Sequence, residues 1–352
     1  MRRVRLKPDL HSSSYVVSIR DIQAIVREYP ANLQPARVEP LGAAGGMSGA
    51  QFWRIASASG PLVLRCWPSE HPTAERLRFI HDVLFHAAER GISFLAVPIL
   101  SASGESFVFA DGHLWELSPW MPGDANYERS PSMQKLGAAM RALAKFHVAV
   151  RDFRTAATAQ VTGSPPAIAR RLTRLRDLSL GGTSKLSEAI NHEVWPELEP
   201  LARRFLAMMP TLLPRAIARL ERFSNTRLPT QPCIRDIWHD HVLFTGEEVT
   251  GIIDFGAMDI DTPATDVARL LGSLVGDDEA DWRAGVSAYS ESRPLSTGEQ
   301  QAAKALDTSS IILAGCNWIQ WICFEGRQFE DRTRVIERFR QIVARCEFGT
   351  TK

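Results

Sequence analysis

The sequence has almost no net charge. Its 41 lysines and arginines face 40 aspartates and glutamates, which leaves +1. Polyanions and anionic membrane surfaces are bound through an excess of positive charge, so the balance favours neither nucleic acid nor membrane as a partner. Long apolar runs are also missing. The most apolar stretch, Ile311 to Phe324, is too short to span a bilayer and contains Asn317 and Gln320. The basic start (Arg2, Arg3, Arg5, Lys7) is followed by no apolar segment of signal-peptide type. Cys66, Cys233, Cys316, Cys323 and Cys346 are scattered, without a C-x-x-C pair or other metal spacing, which points to reduced thiols in a cytoplasmic protein. There is no internal repeat and no low-complexity tract. What is there is an ordinary globular composition, 45% hydrophobic and 23% charged over 352 residues, enough for two lobes with a sizeable core.

The chemistry concentrates in residues 233 to 256. Ile234-Arg235-Asp236 opens a polar loop that His239, Asp240 and His241 crowd with metal-capable groups. Val242-Leu243-Phe244 is a short apolar run, Thr245 to Glu248 is turn chemistry, and Val249 to Ile253 is a second apolar run that ends in Asp254-Phe255-Gly256. The pattern predicts loop, strand, tight turn and antiparallel strand, so that Asp236 and Asp254 meet at one end of a hairpin. Two carboxylates over one site suit a divalent cation and a proton acceptor, the two needs of phosphoryl transfer.

These residues resemble the catalytic and metal-binding loops of the aminoglycoside phosphotransferase (phosphotransferase enzyme) family, whose fold is similar to that of protein kinases. The kinase pattern is H-R-D-x-x-x-x-N followed by D-F-G. Here Arg235, Asp236 and Asp254-Phe255-Gly256 match, Ile234 replaces the leading His, and His241 stands at the metal-binding Asn. Pro263 to Ala268 looks like the family's P-x-x-D-hydrophobic-A segment, in which Asp266 would brace the catalytic loop. The resemblance implies an α+β, bilobal protein-kinase-like fold with a small β-rich N-terminal lobe and a larger, mainly helical C-terminal lobe. It implies that Asp236, next to Arg235, accepts or orients the hydroxyl proton, and that Asp254 and His241 hold Mg²⁺, with His239 or Asp240 as alternatives to His241 and Mn²⁺ as a possible substitute.

The rest of the chain is placed around that frame. Residues 1–35 read as an arm and a helix that Pro30 ends, 36–118 as the nucleotide-binding lobe, 119–123 as the linker and 124–352 as the helical lobe. Strands are predicted over Arg37–Leu41, Gln51–Ala56 and Leu62–Cys66, a hairpin across Asp111-Gly112, and a helix from Pro72 to Arg90 capped by Gly91. The glycine-rich segment before Gln51 lacks the G-K-[ST] of a Walker loop. By resemblance, Gly46, Met47, Ser48 and Gly49 cover the ATP phosphates, Arg65 takes the place of the phosphate-binding Lys, and Glu75 is its acidic partner, with Asp82 as the alternative. Pro119 and Met121 offer main-chain groups to the adenine.

Further along, His147 reads as a packed helix histidine. The basic run Arg170, Arg171, Arg174, Arg176 reads as a solvated helix face, and Asp277 to Asp281 as an acidic helix N-terminus. Helices are expected over Lys185–Ala207 and Leu212–Phe223, and Trp318 and Trp321 as core. The expected function is ATP-dependent transfer of the γ-phosphoryl group to a hydroxyl of a small-molecule acceptor. The replacements at Ile234, His241 and Arg65 point to a second reading, a kinase-like protein that binds nucleotide or a partner without turnover. Antibiotic, choline-like alcohol, sugar and amino-acid alcohol all fit the motifs as acceptor, and the oligomeric state is not written in them.

Overall fold

The computed structural model describes residues 19–33, 35–42, 49–153, 162–163, 165–190, 195–329 and 331–351. The chain forms two units, Met1–Ala74 with Pro98–Trp120, and Glu75–Val97 with Met121–Lys352.

The first unit is a helix on a sheet. Helix α1 (Ile19–Arg27) precedes strands β1 (Pro35–Gly42), β2 (Gln51–Ser57), β3 (Gly60–Cys66), β4 (Val108–Ala110) and β5 (His113–Pro119). They form one antiparallel sheet in the order β1-β2-β3-β5-β4. Alternation sets its buried face: Trp53 and Ile55 point inward from β2 while Arg54 and Ala56 are exposed. Ile22, Ile25 and Val26 recur at helical spacing and close that face together with Leu62, Leu64, Trp115 and Leu117. The helix that the sequence groups with an N-terminal arm is therefore part of this core. The β4–β5 turn is built as expected, with Asp111 and Gly112 both at positive φ (50° and 78°).

Helix α2 (Ala74–Glu89) belongs from Glu75 onward to the second unit, whereas the sequence pattern groups it with the strand-rich lobe. Its Ile80, Val83, Leu84 and Ala87 are buried in the core of the helical unit instead. Then follow α3 (Met133–Val150), β6 (Thr162–Gly163), α4 (Pro166–Asp177), α5 (Thr183–Ala189), α6 (Leu198–Glu221) and β7 (Leu228–Pro229). Short strands β8 (Gln231–Cys233), β9 (Val242–Thr245), β10 (Glu248–Ile252) and β11 (Asp259–Asp261) carry the loops of interest, and α7 (Ala264–Leu274), α8 (Glu279–Ser290), α9 (Thr297–Ile319) and α10 (Arg332–Thr351) complete the unit.

Two sequence expectations fail here. The helix expected over Lys185–Ala207 is split, because Ile190 leaves helical geometry (ψ 114°). The break expected before Leu212 is absent: α6 runs through Pro210 and Pro214. Each proline removes one helical hydrogen bond, but Phe205, Met209, Leu212, Leu213, Ala216 and Leu220 bury one continuous stripe, and that burial keeps the helix going. The basic run of α4 is largely exposed, as expected, with Arg170, Arg174 and Arg176 at the surface, and several of its arginines are paired. Arg170 pairs with Asp261 at 2.6 Å and Arg176 with Glu221 at 2.7 Å. Arg171 is partly buried; it donates to the Leu306 carbonyl and to the Ser309 and Ser310 hydroxyls, and desolvation pushes its pKa down to about 10. The acidic segment behaves as expected, with Asp278 capping α8 through the N–H groups of Ala280 and Asp281.

Helices α6 and α9 approach closely at Gly315, where an added Cβ would lie 2.3 Å from Cζ of the buried Phe205. Gly315→Ala gains about 1 kcal/mol of helix propensity but overpacks this contact, and a net loss of about 1–2 kcal/mol is expected in urea unfolding. Adding Phe205→Leu should recover part of that loss; independent, additive effects in the double-mutant cycle would show that the contact is not the cause.

Candidate active site

Strands β8 and β11 pair antiparallel, with Cys233 opposite Asp259, and β8 feeds the chain into the loop 234–241. The loop is held from below by one stripe of α7. The buried Asp266 carboxylate accepts from the N–H of Ile234 at 2.7 Å and of Arg235 at 2.6 Å. One turn on, Arg269 donates to Asp236 Oδ1 through Nε (3.2 Å) and Nη2 (3.1 Å). Another turn on, Ser273 Oγ accepts from the N–H of His239 at 3.1 Å. Residues spaced 3 and 4 apart share one helix face, so a single helix fixes three successive points of the loop.

Asp266 is itself supported from behind. His147 Nε2 lies 3.0 Å from its Oδ2, and His147 Nδ1 lies 2.6 Å from the Tyr289 hydroxyl. The consistent assignment is Nε2–H donating to the carboxylate and Tyr289 O–H donating to Nδ1, with the imidazole neutral. Burial lowers the His147 pKa and outweighs the opposing pull of Asp266. Cys233 stands beside this pair, with ligand atoms of all three residues within 4.8 Å. Every one is buried, and the His147 contacts are hydrogen bonds, so the cluster braces the loop.

Asp236 is half-exposed (50%), and among the described residues its Oδ2 has no partner. Arg235, in the left-handed region (φ 68°), pairs with Asp259 at 3.0 Å, and Arg76 pairs with the other Asp259 oxygen at 3.1 Å. Asp254 also has positive φ (61°). The Ile253 N–H donates to the His241 carbonyl at 3.0 Å, and His241 Nε2 lies 3.7 Å from Asp254 Oδ2. The two loops therefore meet as the hairpin predicts.

His241 is engaged at both ring nitrogens. Nδ1–H donates to the Asp236 carbonyl at 2.7 Å, and Nε2 accepts from the Trp238 indole N–H at 2.9 Å. The lone pair that a metal would need is spent on Trp238, so His241 stands in this arrangement as a pin rather than an open ligand. Asp240 is committed as well: its Oδ1 lies 3.1 Å from His239 Nδ1, and its Oδ2 accepts from Arg334 and Arg338. Burial works to raise its pKa, but the His239 bond and the two guanidiniums win and hold it below the ordinary value.

In the first unit, Arg65 is buried on β3, with Glu116 of β5 at 3.8 Å and its guanidinium 3.4 Å from the Trp67 ring centroid. Glu116 was not singled out in the sequence, although it sits directly across the strand pair from Arg65. Glu75 stands in the first turn of α2, in the second unit. Gly46, Met47 and Ser48 lie outside the described residues, while Gly49 has the positive φ (74°) that favours glycine. Pro119 ends β5 opposite Leu62, and Met121 is buried at the start of the second unit's main segment. Sequence reasoning also missed Arg269, Trp238 and the α10 arginines. A cavity of about 780 Å³ between α6, α8 and α9 is lined by none of the catalytic-loop residues.

The five-stranded sheet, the helical unit and the paired Asp236 and Asp254 loops define a protein-kinase-like phosphotransferase. The phosphotransferase enzyme family model matches residues 40–303 of the 352, and the chain belongs to that family. It is a phosphotransferase of small molecules with an alcohol group as acceptor. Homoserine kinase of Rhodopseudomonas palustris is 27% identical over 278 residues, covering 77% of this chain and 76% of that protein. Homoserine kinase of a Bradyrhizobium species is 26% identical over 278 residues, with the same coverage of 77% and 76%. Among solved structures, spectinomycin phosphotransferase in complex with ADP and spectinomycin aligns with TM-score 0.70 at 12% identity, over 95% of this chain and 99% of that one. Amicoumacin kinase in complex with AMP-PNP and Ca²⁺ aligns with TM-score 0.62 at 14% identity, over 90% of each. At these identities the structural likeness shows the fold. Among the described residues no helix is long and apolar enough to cross a membrane.

The neutral, buried His147 sets a pH dependence of stability. On unfolding it regains its ordinary pKa of 6.5, so below that pH the unfolded chain takes up a proton that the native chain refuses. Stability therefore falls as pH drops through that value, by up to about 1.4 kcal/mol per pH unit from this group. Urea unfolding in buffers from about pH 8 to 5 should show a shallower acid slope for His147→Gln than for the parent; equal slopes would mean that the native imidazole titrates normally.

Proposed function

We propose that the chain transfers the γ-phosphoryl group of ATP to a hydroxyl of a small molecule, with Asp236 as the proton acceptor. The observation that carries this reading is the asymmetry of the Asp236 carboxylate: Arg269 fixes Oδ1, and Oδ2 is left without a partner among the described residues. One oxygen orients the group and the other can take a proton. As the acceptor oxygen bonds to the γ-phosphorus and the bond from phosphorus to the ADP oxygen breaks, the hydroxyl proton passes to Oδ2. Arg235 supports this indirectly, since its pairing with Asp259 keeps the preceding backbone in place.

The half-exposed Asp254 offers hard oxygen ligands, which suit Mg²⁺ and also Mn²⁺. Such an ion, when bound, neutralises charge on the phosphates. Imidazole is the weaker ligand for Mg²⁺, and His241 is better employed fixing the Asp236 carbonyl. Gly46, Met47, Ser48, Gly49 and Arg65, with Glu75, Pro119 and Met121, carry the nucleotide-binding part of the proposal through the family resemblance. The relatives named homoserine kinase make L-homoserine the first acceptor to assay, ahead of the antibiotics of the structural neighbours.

Asp236→Asn is expected to lower kcat by about 10²–10⁴-fold, with the KM for ATP changed less than about threefold. ADP release with Mg²⁺ and a panel of hydroxylated acceptors reads both. A parent-like kcat in that variant would remove Asp236 from the proton-accepting role.

A further inference from the structure

Beyond Asp236 the loop runs into a group of arginines, of which only Arg269 touches the proposed base. Trp238 is their common neighbour. The guanidinium carbon of Arg338, from α10, lies 3.9 Å from its ring centroid, and that of Arg269, from α7, lies 5.7 Å away. Arg334, one turn earlier on α10, joins Arg338 on a single oxygen, Asp240 Oδ2, at 2.5 and 3.1 Å. Burial, the repulsion of Arg334 and that of Arg269 lower the Arg338 pKa, against the attraction of Asp240 and Glu128.

These guanidiniums are not used up as structural ones are. Arg345, by contrast, donates from Nε to Asp277, from Nη1 to the Gly272 carbonyl and from Nη2 to both Asp277 and Asp307. Arg338 makes one hydrogen bond among the described residues, from Nη2 to Asp240, and Arg269 makes two, both to Asp236 Oδ1. A guanidinium has five N–H donors in a planar fork that matches a carboxylate. The side chains are 27% and 36% exposed, so the spare donors are reachable by a ligand and only partly screened by water.

We propose that Arg338 and Arg269, around Trp238, bind the carboxylate of the phosphoryl acceptor, which makes the acceptor a small hydroxylated carboxylic acid and not a polycationic antibiotic. The inference rests on the reading of Asp236 as the base. Because Arg269 touches Asp236 directly, a carboxylate on this cluster puts only a few bonds between itself and a hydroxyl at Oδ2. A polycation would meet three guanidiniums at the same place.

The test uses matched acceptors on the full chain: L-homoserine against 3-aminopropan-1-ol and L-serine against ethanolamine, each pair differing by the carboxylate. Titration calorimetry reads binding and ADP release reads turnover. The expected result is binding and turnover that favour the carboxylate member of a pair by about 10- to 100-fold, as hydrogen bonds to a charged group contribute. Arg338→Met should raise the acceptor KM by a similar factor with kcat and the KM for ATP nearly unchanged, and Arg338→Lys should restore part of the loss. Equal binding within both pairs, or no carboxylate-dependent binding at all, overturns the proposal. So does a rise in the KM for ATP alone, which would assign the arginines to the nucleotide's phosphates. Carboxylate-dependent binding that Arg338→Met abolishes, without ADP release from any acceptor, supports the subsite and sinks the Asp236 reading instead.

Discussion

One buried carboxylate, that of Asp266, shapes the catalytic loop. Arg235 sits at φ 68°, in a region that costs a non-glycine residue about 1–3 kcal/mol. Left alone the chain would relax out of it. The N–H groups of Ile234 and Arg235 both end on Asp266, and hydrogen bonds to a charged acceptor contribute about 1.5–3 kcal/mol each, so the pair outweighs the strain. The carboxylate is fully buried and would be costly there without donors. His147 supplies a third, and Tyr289 and Gln231 fix His147 in turn, through its Nδ1 and its carbonyl. The loop geometry thus reaches back through α7 into α3 and α8.

The same helix then sets the direction of the Asp236 side chain. With Asp266 holding the backbone, Arg269 a turn later meets Asp236 on Oδ1. That contact turns a symmetric carboxylate into one anchored oxygen and one available oxygen. The far end of α7 is secured by Arg345, which reaches the Gly272 carbonyl as well as Asp277 and Asp307. Gly272 has to be glycine for this: an added Cβ would lie 2.1 Å from Asp307 Oδ1.

What the sequence makes legible is local. The Asp111-Gly112 turn, the acidic start of α8, the hairpin that joins the loops of Asp236 and Asp254, and the bracing role of Asp266 follow from short-range patterns or from a motif of fixed spacing. What it hides depends on tertiary partners. Nothing in Pro210 and Pro214 tells that α6 continues, because the answer lies in the stripe it buries. The basic run of α4 is exposed, as its pattern suggests, but its partners Asp261, Glu221 and the α9 serines cannot be read from it. Arg338 lies 98 positions from Asp240, a separation at which no spacing rule operates.

The departures from the kinase pattern are linked to one another. An Asn at position 241 would offer a carbonyl oxygen to a metal. The imidazole there has a donor and an acceptor on opposite sides of its ring, and it uses the donor on the Asp236 carbonyl and the acceptor on the Trp238 indole. Trp238 in turn is the surface on which Arg269 and Arg338 gather. Exchanging Asn for His therefore removes an oxygen ligand and adds a strut between the backbone of Asp236 and the ring beneath the arginines. A strut of that kind fixes the geometry between Asp236 and the arginines around Trp238, and on the proposed reading a metal would be held by the oxygens of Asp254.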